Sequence, residues 1–368
     1  MTEPIIDSID AEPLEIPFKT SFSHASASRE AMHSLWVEAR LRDGNRGFGE
    51  GCPRDYVTGE TLTGALLFVA KFKDRWFNEI RDFESLAAWT RTHRVEIDAN
   101  PAAWCAVELA LLDAFCARAQ KSIESFLGLP ELGGKFRYTA VLGDSGAKRF
   151  EAETARYRQA GFRDFKVKLS GNRQRDLDKV GLLKAVGIAP GAVRADANNL
   201  WTEADEAIHF LSGLDYRFNA IEEPLRPGDH AGMNRIATDF GASIILDESL
   251  LRAEQLAQFS TSPGRWIVNL RISKMGGLIR SLDLLKQVHG SGLGLIVGAH
   301  VGETSLLTRA ALTVANAGRD ILVAQEGAFG THLLEHDVVE APIMFGAGGV
   351  LDAAQLPAGT GFGLKPAV

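Results

Sequence analysis

From Phe136 onward, short apolar runs alternate with longer amphipathic stretches. Eight runs read as strands: "RYTAVLG", "FKVKL", "AVRADA", "AIEEP", "SIILDE", "WIVNLRISK", "LGLIVGA" and "ILVAQEG". Each is followed by enough chain for a crossover helix, which parallel strands require. Within "FKVKL", Phe165, Val167 and Leu169 alternate with Lys166 and Lys168, so the two lysines share one face. On a solvent face they are ordinary charges. Inside an enclosed site, two ammonium groups roughly 6 Å apart at an effective dielectric of ~20 repel by about 3 kcal/mol. That crowding would make Lys168 a base near neutral pH, with Lys166 acting mainly to depress its pKa. Earlier in the chain the texture differs, with strand-like pieces around "SLWVEARLRDG" and then helices. The best helix is "NPAAWCAVELALLDAFCARAQ", with Asn100 at the N-cap, Pro101 at the first position and an apolar stripe through Trp104, Val107, Leu111 and Phe115.

Polar residues recur at the strand ends with a steady period. Lys168 to Asp196 is 28 residues, then come Glu222 after 26, Asp247 after 25, Lys274 after 27, His300 after 26 and Glu326 after 26. One strand, one helix and two loops consume about that much chain. A doubly wound sheet rarely carries a charge at every strand tip, so the period predicts an α/β fold of the modified TIM-barrel type, (β/α)7β-like, with an N-terminal α+β capping domain. The predicted divisions are a cap over 1–130, a barrel over 131–340 and a C-terminal segment over 341–368 that returns to the cap.

In such a barrel Asp196, Glu222 and Asp247 come from three successive strand ends. Taken singly, each acid reads as a helix cap or a surface charge. Together they repel unless a divalent cation neutralises them, and three oxygen donors on rigid strand ends suit Mg²⁺, with Mn²⁺ as an alternative. Lys168 precedes this series and Lys274 follows it, so the two flank the metal. A metal-bound carboxylate substrate has an acidified α-proton, which one lysine removes and the other returns from the opposite face.

Composition narrows the class without changing it. The 368 residues carry a net charge of −7, which disfavours a nucleic-acid surface, and 45% hydrophobic residues, which fit an ordinary globular core. Three cysteines, Cys52, Cys105 and Cys116, lack metal spacing and indicate a reducing compartment. The opening residues show no basic and apolar leader, and no run approaches membrane-spanning length, so a cytoplasmic location and no membrane partner are expected.

The motifs "FKVKL", "RADANNLW", "IEEPL", "LDES" and "KMGG" resemble the enolase superfamily, specifically its muconate lactonizing enzyme subgroup. The resemblance spans nearly the whole chain. It implies Asp196, Glu222 and Asp247 as metal ligands, Lys168 and Lys274 as the acid/base pair, and Asn198, Glu223 and Glu248 as residues that orient them. It implies a small carboxylate substrate and, commonly, a homo-oligomer. His300 resembles the base position of the mandelate racemase subgroup, but Arg271 stands where that subgroup has an orienting aspartate, so His300 is expected to bind substrate. Dipeptide epimerases of the subgroup commonly carry an Asp-x-Asp element on the last strand. Here "VAQEGAFG" offers Glu326, which is expected to hold a polar substrate group.

Two cap segments, "FKTSFSHASAS" (18–28) and "GEGCPRDYVTGET" (49–61), resemble the loops that close over the mouth, with His24, Arg54 and Tyr56 as candidate substrate contacts. The expected reaction is racemisation or epimerisation of an amino acid derivative or related acid. Cycloisomerisation, β-elimination and a non-catalytic binding barrel are the alternatives. The "GDSG" tetrapeptide is incompatible with a chymotrypsin-like mechanism in a strand–helix alternation, and "GFGEG" lacks the full phosphate-binding pattern.

Overall fold

The computed structural model describes residues 5–24, 27–259 and 262–367, with backbone only at 20–24 and 27–29. The N-terminal part is a three-stranded antiparallel sheet of β1 (Ile6–His24), β2 (Ala27–Leu41) and β3 (Arg46–Gly51). It is followed by α1 (Asp55–Thr58), α2 (Leu62–Glu79), α3 (Phe83–Thr92), α4 (Arg94–Ala99), α5 (Pro101–Ala119) and α6 (Ile123–Leu127). Within 18–28, expected as a closing loop, the described backbone belongs instead to β1 and β2, which pair as far as His24 and Ala27. There the Lys19 backbone N–H donates to the Leu333 carbonyl at 2.8 Å and Lys19 Nζ to the Thr331 carbonyl at 2.6 Å. The strand pair therefore leans on the loop after the last barrel strand.

Helix α5 corrects its sequence reading. An apolar stripe predicts one buried face, yet every residue from Pro101 to Leu112 is buried. The reason is a glycine series on β3. A Cβ on Gly47, Gly49 or Gly51 would fall on the carbonyl oxygen of Ala110, Ala106 or Ala102, so a two-residue strand repeat meshes with a four-residue helix repeat at backbone contact distance. This is the role of "GFGEG". The other side of α5 packs on the barrel, where Glu108 accepts from the Ile279 N–H at 3.0 Å.

After β4 (Lys135–Arg137) come β5 (Ala140–Leu142), α7 (Ala147–Gln159), β6 (Phe165–Lys168), α8 (Arg173–Ala185), β7 (Val193–Asp196), α9 (Ala204–Ser212), β8 (Ala220–Glu222), α10 (His230–Asp239) and β9 (Ser243–Leu246). Next are β10 (Trp266–Leu270), α11 (Ile272–Met275), α12 (Leu278–Gly290), β11 (Gly294–Val297), α13 (Ser305–Ala317), β12 (Leu322–Gln325) and β13 (Val350–Asp352). Strands β5 to β12 form one parallel eight-stranded sheet in chain order, curled so that the Thr139 N–H of one edge donates to the Gln325 carbonyl of the other at 2.8 Å. All eight predicted strands are present. The crossover from β9 to β10 is the exception to the strand–helix rhythm, being a 3₁₀ turn over Ala253–Phe259. The C-terminal segment pairs β13 with β4, then reaches the cap, where the Phe362 N–H donates to Asp113 of α5 at 3.0 Å.

Outward-facing residues such as Phe165, Val167 and Ala195 join the main core, while Ala220, Ile245, Ile267, Ile296 and Ala324 fill the barrel interior from the β8–β12 side. On the β6–β7 side the same interior level holds Lys166 and Arg194, paired in register. The two-lysine face of "FKVKL" thus looks into the barrel. Among the described residues, no helix is long and apolar enough to cross a membrane.

Candidate active site

The strand register sets the site. Lys168 pairs with Asp196 and Asp196 with Glu222, so three functional groups sit at one level on β6, β7 and β8. Asp247 follows β9 by one residue. Lys274 differs from expectation, because β10 ends at Leu270 and the lysine rides on the four-residue helix α11.

Each lysine has its own acid. Lys168 Nζ lies 3.1 Å from Asp196 Oδ2 and donates to Asn198 Oδ1 at 2.7 Å, with 15% of its side chain exposed at the mouth. Asn198, at φ 43°, also donates its backbone N–H to Asp196 Oδ1 at 3.1 Å. Lys274 Nζ is fully enclosed and donates to Asp247 Oδ1, the Asp247 carbonyl and the Asn269 carbonyl, each at 2.8 Å. Its three N–H donors are thereby all engaged. The lysines stand at opposite ends of the carboxylate series.

Lys166 corrects the crowding expectation. Its Nζ donates to Glu222 Oε2 at 3.0 Å and to Glu326 Oε2 at 2.6 Å. Burial disfavours its charge, but Glu222, Glu326 and Asp196 outweigh that and raise its pKa above the ordinary lysine value. It is a counter-ion beneath the carboxylates, not an unpaired neighbour pressing on Lys168. Glu326, expected at the substrate, is 7% exposed and lies between Lys166 and Arg194, whose Nη2 is 3.8 Å away.

The carboxylates respond to burial and to one another. Burial pushes Glu222 up to about 7, opposed by Lys166 and reinforced by Asp196, Glu326 and Asp247. Burial also works against the charge of Asp247, yet Arg271 and Lys274 overcome it and hold that carboxyl far below the usual range. At Asp196, too, burial works against the charge, and Lys168 and Lys166 outweigh it and lower the carboxyl's pKa. Glu223, at φ 40°, accepts from the Asp247 N–H at 2.6 Å and from the Ser249 N–H and hydroxyl at 2.7 Å, which fixes the loop carrying Asp247. Glu248 is raised to about 8, by burial first and then by Asp247 and Glu223.

The donor set fits a hard divalent cation, being three buried carboxylates from consecutive strands whose mutual repulsion such an ion relieves. Among the described residues, however, no three acids, histidines or cysteines converge closely enough to grip an ion as they stand. Each of these acids is instead paired with a lysine or with Arg271.

His300 is 3% exposed, with its Nδ1 3.3 Å from Arg271 Nη1 and its backbone N–H donating to Glu303 at 2.7 Å. Burial and the nearby Arg271 and Arg54 push its pKa well below the ordinary histidine value, so it stands neutral. Arg54 is 1% exposed and donates to the carbonyls of His33, Pro53 and Val301 at 2.8–3.0 Å. It ties cap to barrel in place of the expected substrate contact. Tyr56 sits on α1 with 41% exposure, and the His24 side chain lies outside the described residues.

Sequence reasoning passed over Asn269 and Arg194, and met Arg271 only as the residue in place of an orienting aspartate. Arg271 holds Asp247, Asn269 donates to Glu222 Oε1 at 3.2 Å, and Arg194 pairs with Asp164 at 2.8 Å below Glu326. Arg194 was legible, lying two residues before Asp196 on the same strand face.

Comparison with known proteins agrees with this architecture. The model of the Enolase C-terminal domain-like family matches residues 149–367. A hydrophobic dipeptide epimerase of Enterococcus faecalis is 25% identical over 329 residues, covering 86% of this chain and 88% of the relative. An N-succinyl-L-Arg/Lys racemase of Bacillus cereus is 24% identical over 322 residues, 84% of each chain. The crystal structure of the dipeptide epimerase from Enterococcus faecalis, complexed with Mg and the dipeptide L-Leu-L-Tyr, superposes with a TM-score of 0.83 at 24% identity, covering 98% of this chain and 99% of that one.

Proposed function

Because the chain belongs to the Enolase C-terminal domain-like family, we propose that it is an isomerase that removes and returns the proton α to a substrate carboxylate, as a racemase or epimerase. The single observation carrying this reading is the placement of Lys168 and Lys274 at opposite ends of a buried three-carboxylate series, each held by its own aspartate. Removal by one lysine leaves an enediolate, and delivery from the other inverts the carbon. Lys168 is steered by Asn198 and Lys274 by the carbonyls of Asp247 and Asn269. Asp196, Glu222 and Asp247 are the residues to hold a divalent cation, Mg²⁺ by the all-oxygen donor set. When bound, such an ion supplies positive charge opposite the carboxylate whose α-proton leaves.

The substrate class follows from the relatives and from one charge. Both curated relatives are named for amino acids acylated on nitrogen, by another amino acid or by a succinyl group. Glu326, the acid at the end of the last barrel strand, already has its charge countered by Lys166 at 2.6 Å and Arg194 at 3.8 Å, which leaves less of it for a substrate ammonium. An N-acyl amino acid without a free amine fits better than a dipeptide.

The test is proton NMR in D₂O with Mg²⁺, following the α-proton signals of N-succinyl, N-acetyl and dipeptide substrates of both configurations. Exchange with loss of optical activity is expected for an N-acyl amino acid. Absence of exchange across all three classes overturns the reading.

A further inference from the structure

Both oxygens of Asp247 already serve cations. Oδ1 accepts from Lys274 Nζ at 2.8 Å, and Oδ2 accepts a short bond from Arg271 Nη2. The same guanidinium nitrogen lies 3.7 Å from Glu222 Oε1, so Arg271 spans two of the three acids. Four cations, Lys166, Lys168, Lys274 and Arg271, thus face three carboxylates.

Arg271 is less firmly held than the two enclosed lysines, Lys166 and Lys274. Among the described residues its Nε is buried without a hydrogen-bond partner and its Nη1 meets the neutral imidazole of His300 at 3.3 Å, and 14% of the side chain is open at the mouth. Lys166 and Lys274, by contrast, are enclosed by acceptors. A planar guanidinium with unused donors, partly open at the mouth, is suited to a carboxylate arriving from outside.

Resting on the metal-site reading above, we propose that Arg271 competes with the divalent cation for Asp247. A carboxylate ligand that draws the guanidinium toward the mouth thereby tightens metal binding. Two cations on one carboxylate oxygen repel strongly at this depth, so Asp247 turns fully to the ion only when Arg271 lets go. The same displacement lets the three acids converge, which among the described residues they do not. Metal and substrate anion then bind with positive coupling through one side chain.

Calorimetric titration of chelator-treated protein with MgCl₂ tests this. Arg271→Gln is expected to bind Mg²⁺ at least tenfold more tightly than wild type, Arg271→Lys to stay close to wild type, and Asp247→Asn to lose binding. A second arm needs no variant. Mn²⁺ binding to wild type, read by electron paramagnetic resonance, is expected to tighten in sodium acetate relative to sodium chloride of equal ionic strength.

Unchanged or weaker Mg²⁺ affinity in Arg271→Gln, or indifference of wild type to acetate, overturns the inference. If wild-type binding depends on Asp247 but not on Arg271, only this inference fails. If no variant and no wild-type sample binds Mg²⁺ or Mn²⁺, it falls together with the metal-site reading.

Discussion

Lys166 Nζ and Glu326 Oε2 lie 2.6 Å apart, joining the second strand of the barrel to the end of the last across the edge where the ladder does not continue. Both side chains are at least nine-tenths buried. The pair closes the barrel electrostatically and carries the floor on which Glu222 rests. Removing one partner of such a pair costs about 3–5 kcal/mol, because the other is left buried and uncompensated. Lys166→Ala should therefore lower stability by that order in urea unfolding, and Lys166→Met combined with Glu326→Gln should recover part of the loss. Additive losses would show that the two groups do not act as a pair.

The two lysines should separate by stereochemistry. Lys168→Ala and Lys274→Ala are each expected to slow α-proton exchange by about 10²- to 10⁴-fold, in each case for one enantiomer more than the other. Isotope exchange on separate D and L substrates measures this. Equal losses on both would argue against one base on each face.

Stability should fall as pH rises through neutrality. Glu60 accepts from the Ala102 and Ala103 N–H groups at the start of α5, Glu108 accepts from Ile279, and burial raises each from an ordinary 4.5 to about 7. A carboxyl with a raised folded pKa binds more protons in the native state. Its contribution is complete below 4.5 and is lost as pH climbs through 7. Neutral His300 has the opposite sign, but only below about 6.5. Between pH 6.5 and 8 the melting temperature should therefore decline, and Glu108→Gln should flatten the slope. A rising melting temperature in that window would contradict the buried-carboxyl account.

Two glycines should respond oppositely to alanine. A Cβ at Gly49 meets the Ala106 backbone, which cannot yield, so Gly49→Ala should cost about 2 kcal/mol or more, or abolish folding. Gly181, on α8, has nothing within 4 Å of the position an added methyl would take, and Gly181→Ala should add about 0.5–1 kcal/mol. Thermal or urea unfolding distinguishes them, and a tolerated Gly49→Ala would mean that the β3–α5 contact is looser than described.

The chain's periodicities alone placed eight barrel strands and brought Lys168, Asp196, Glu222 and Asp247 to one mouth, because a two-residue strand alternation and a repeat of about 26 residues are local properties. What required the tertiary structure was partnership. The expectation that Lys166 crowds Lys168 treated neighbours on one strand as neighbours in energy, whereas Glu222 and Glu326 reach Lys166 across the barrel from 56 and 160 residues away. Arg54 looked like a substrate ligand until its donors were seen to end on the carbonyls of His33, Pro53 and Val301. The hold of Arg271 on Asp247 was equally hidden. Spacing fixes which face a side chain occupies, but which charge neutralises it depends on the curl of the whole sheet, and in a buried site that choice sets every pKa and every affinity.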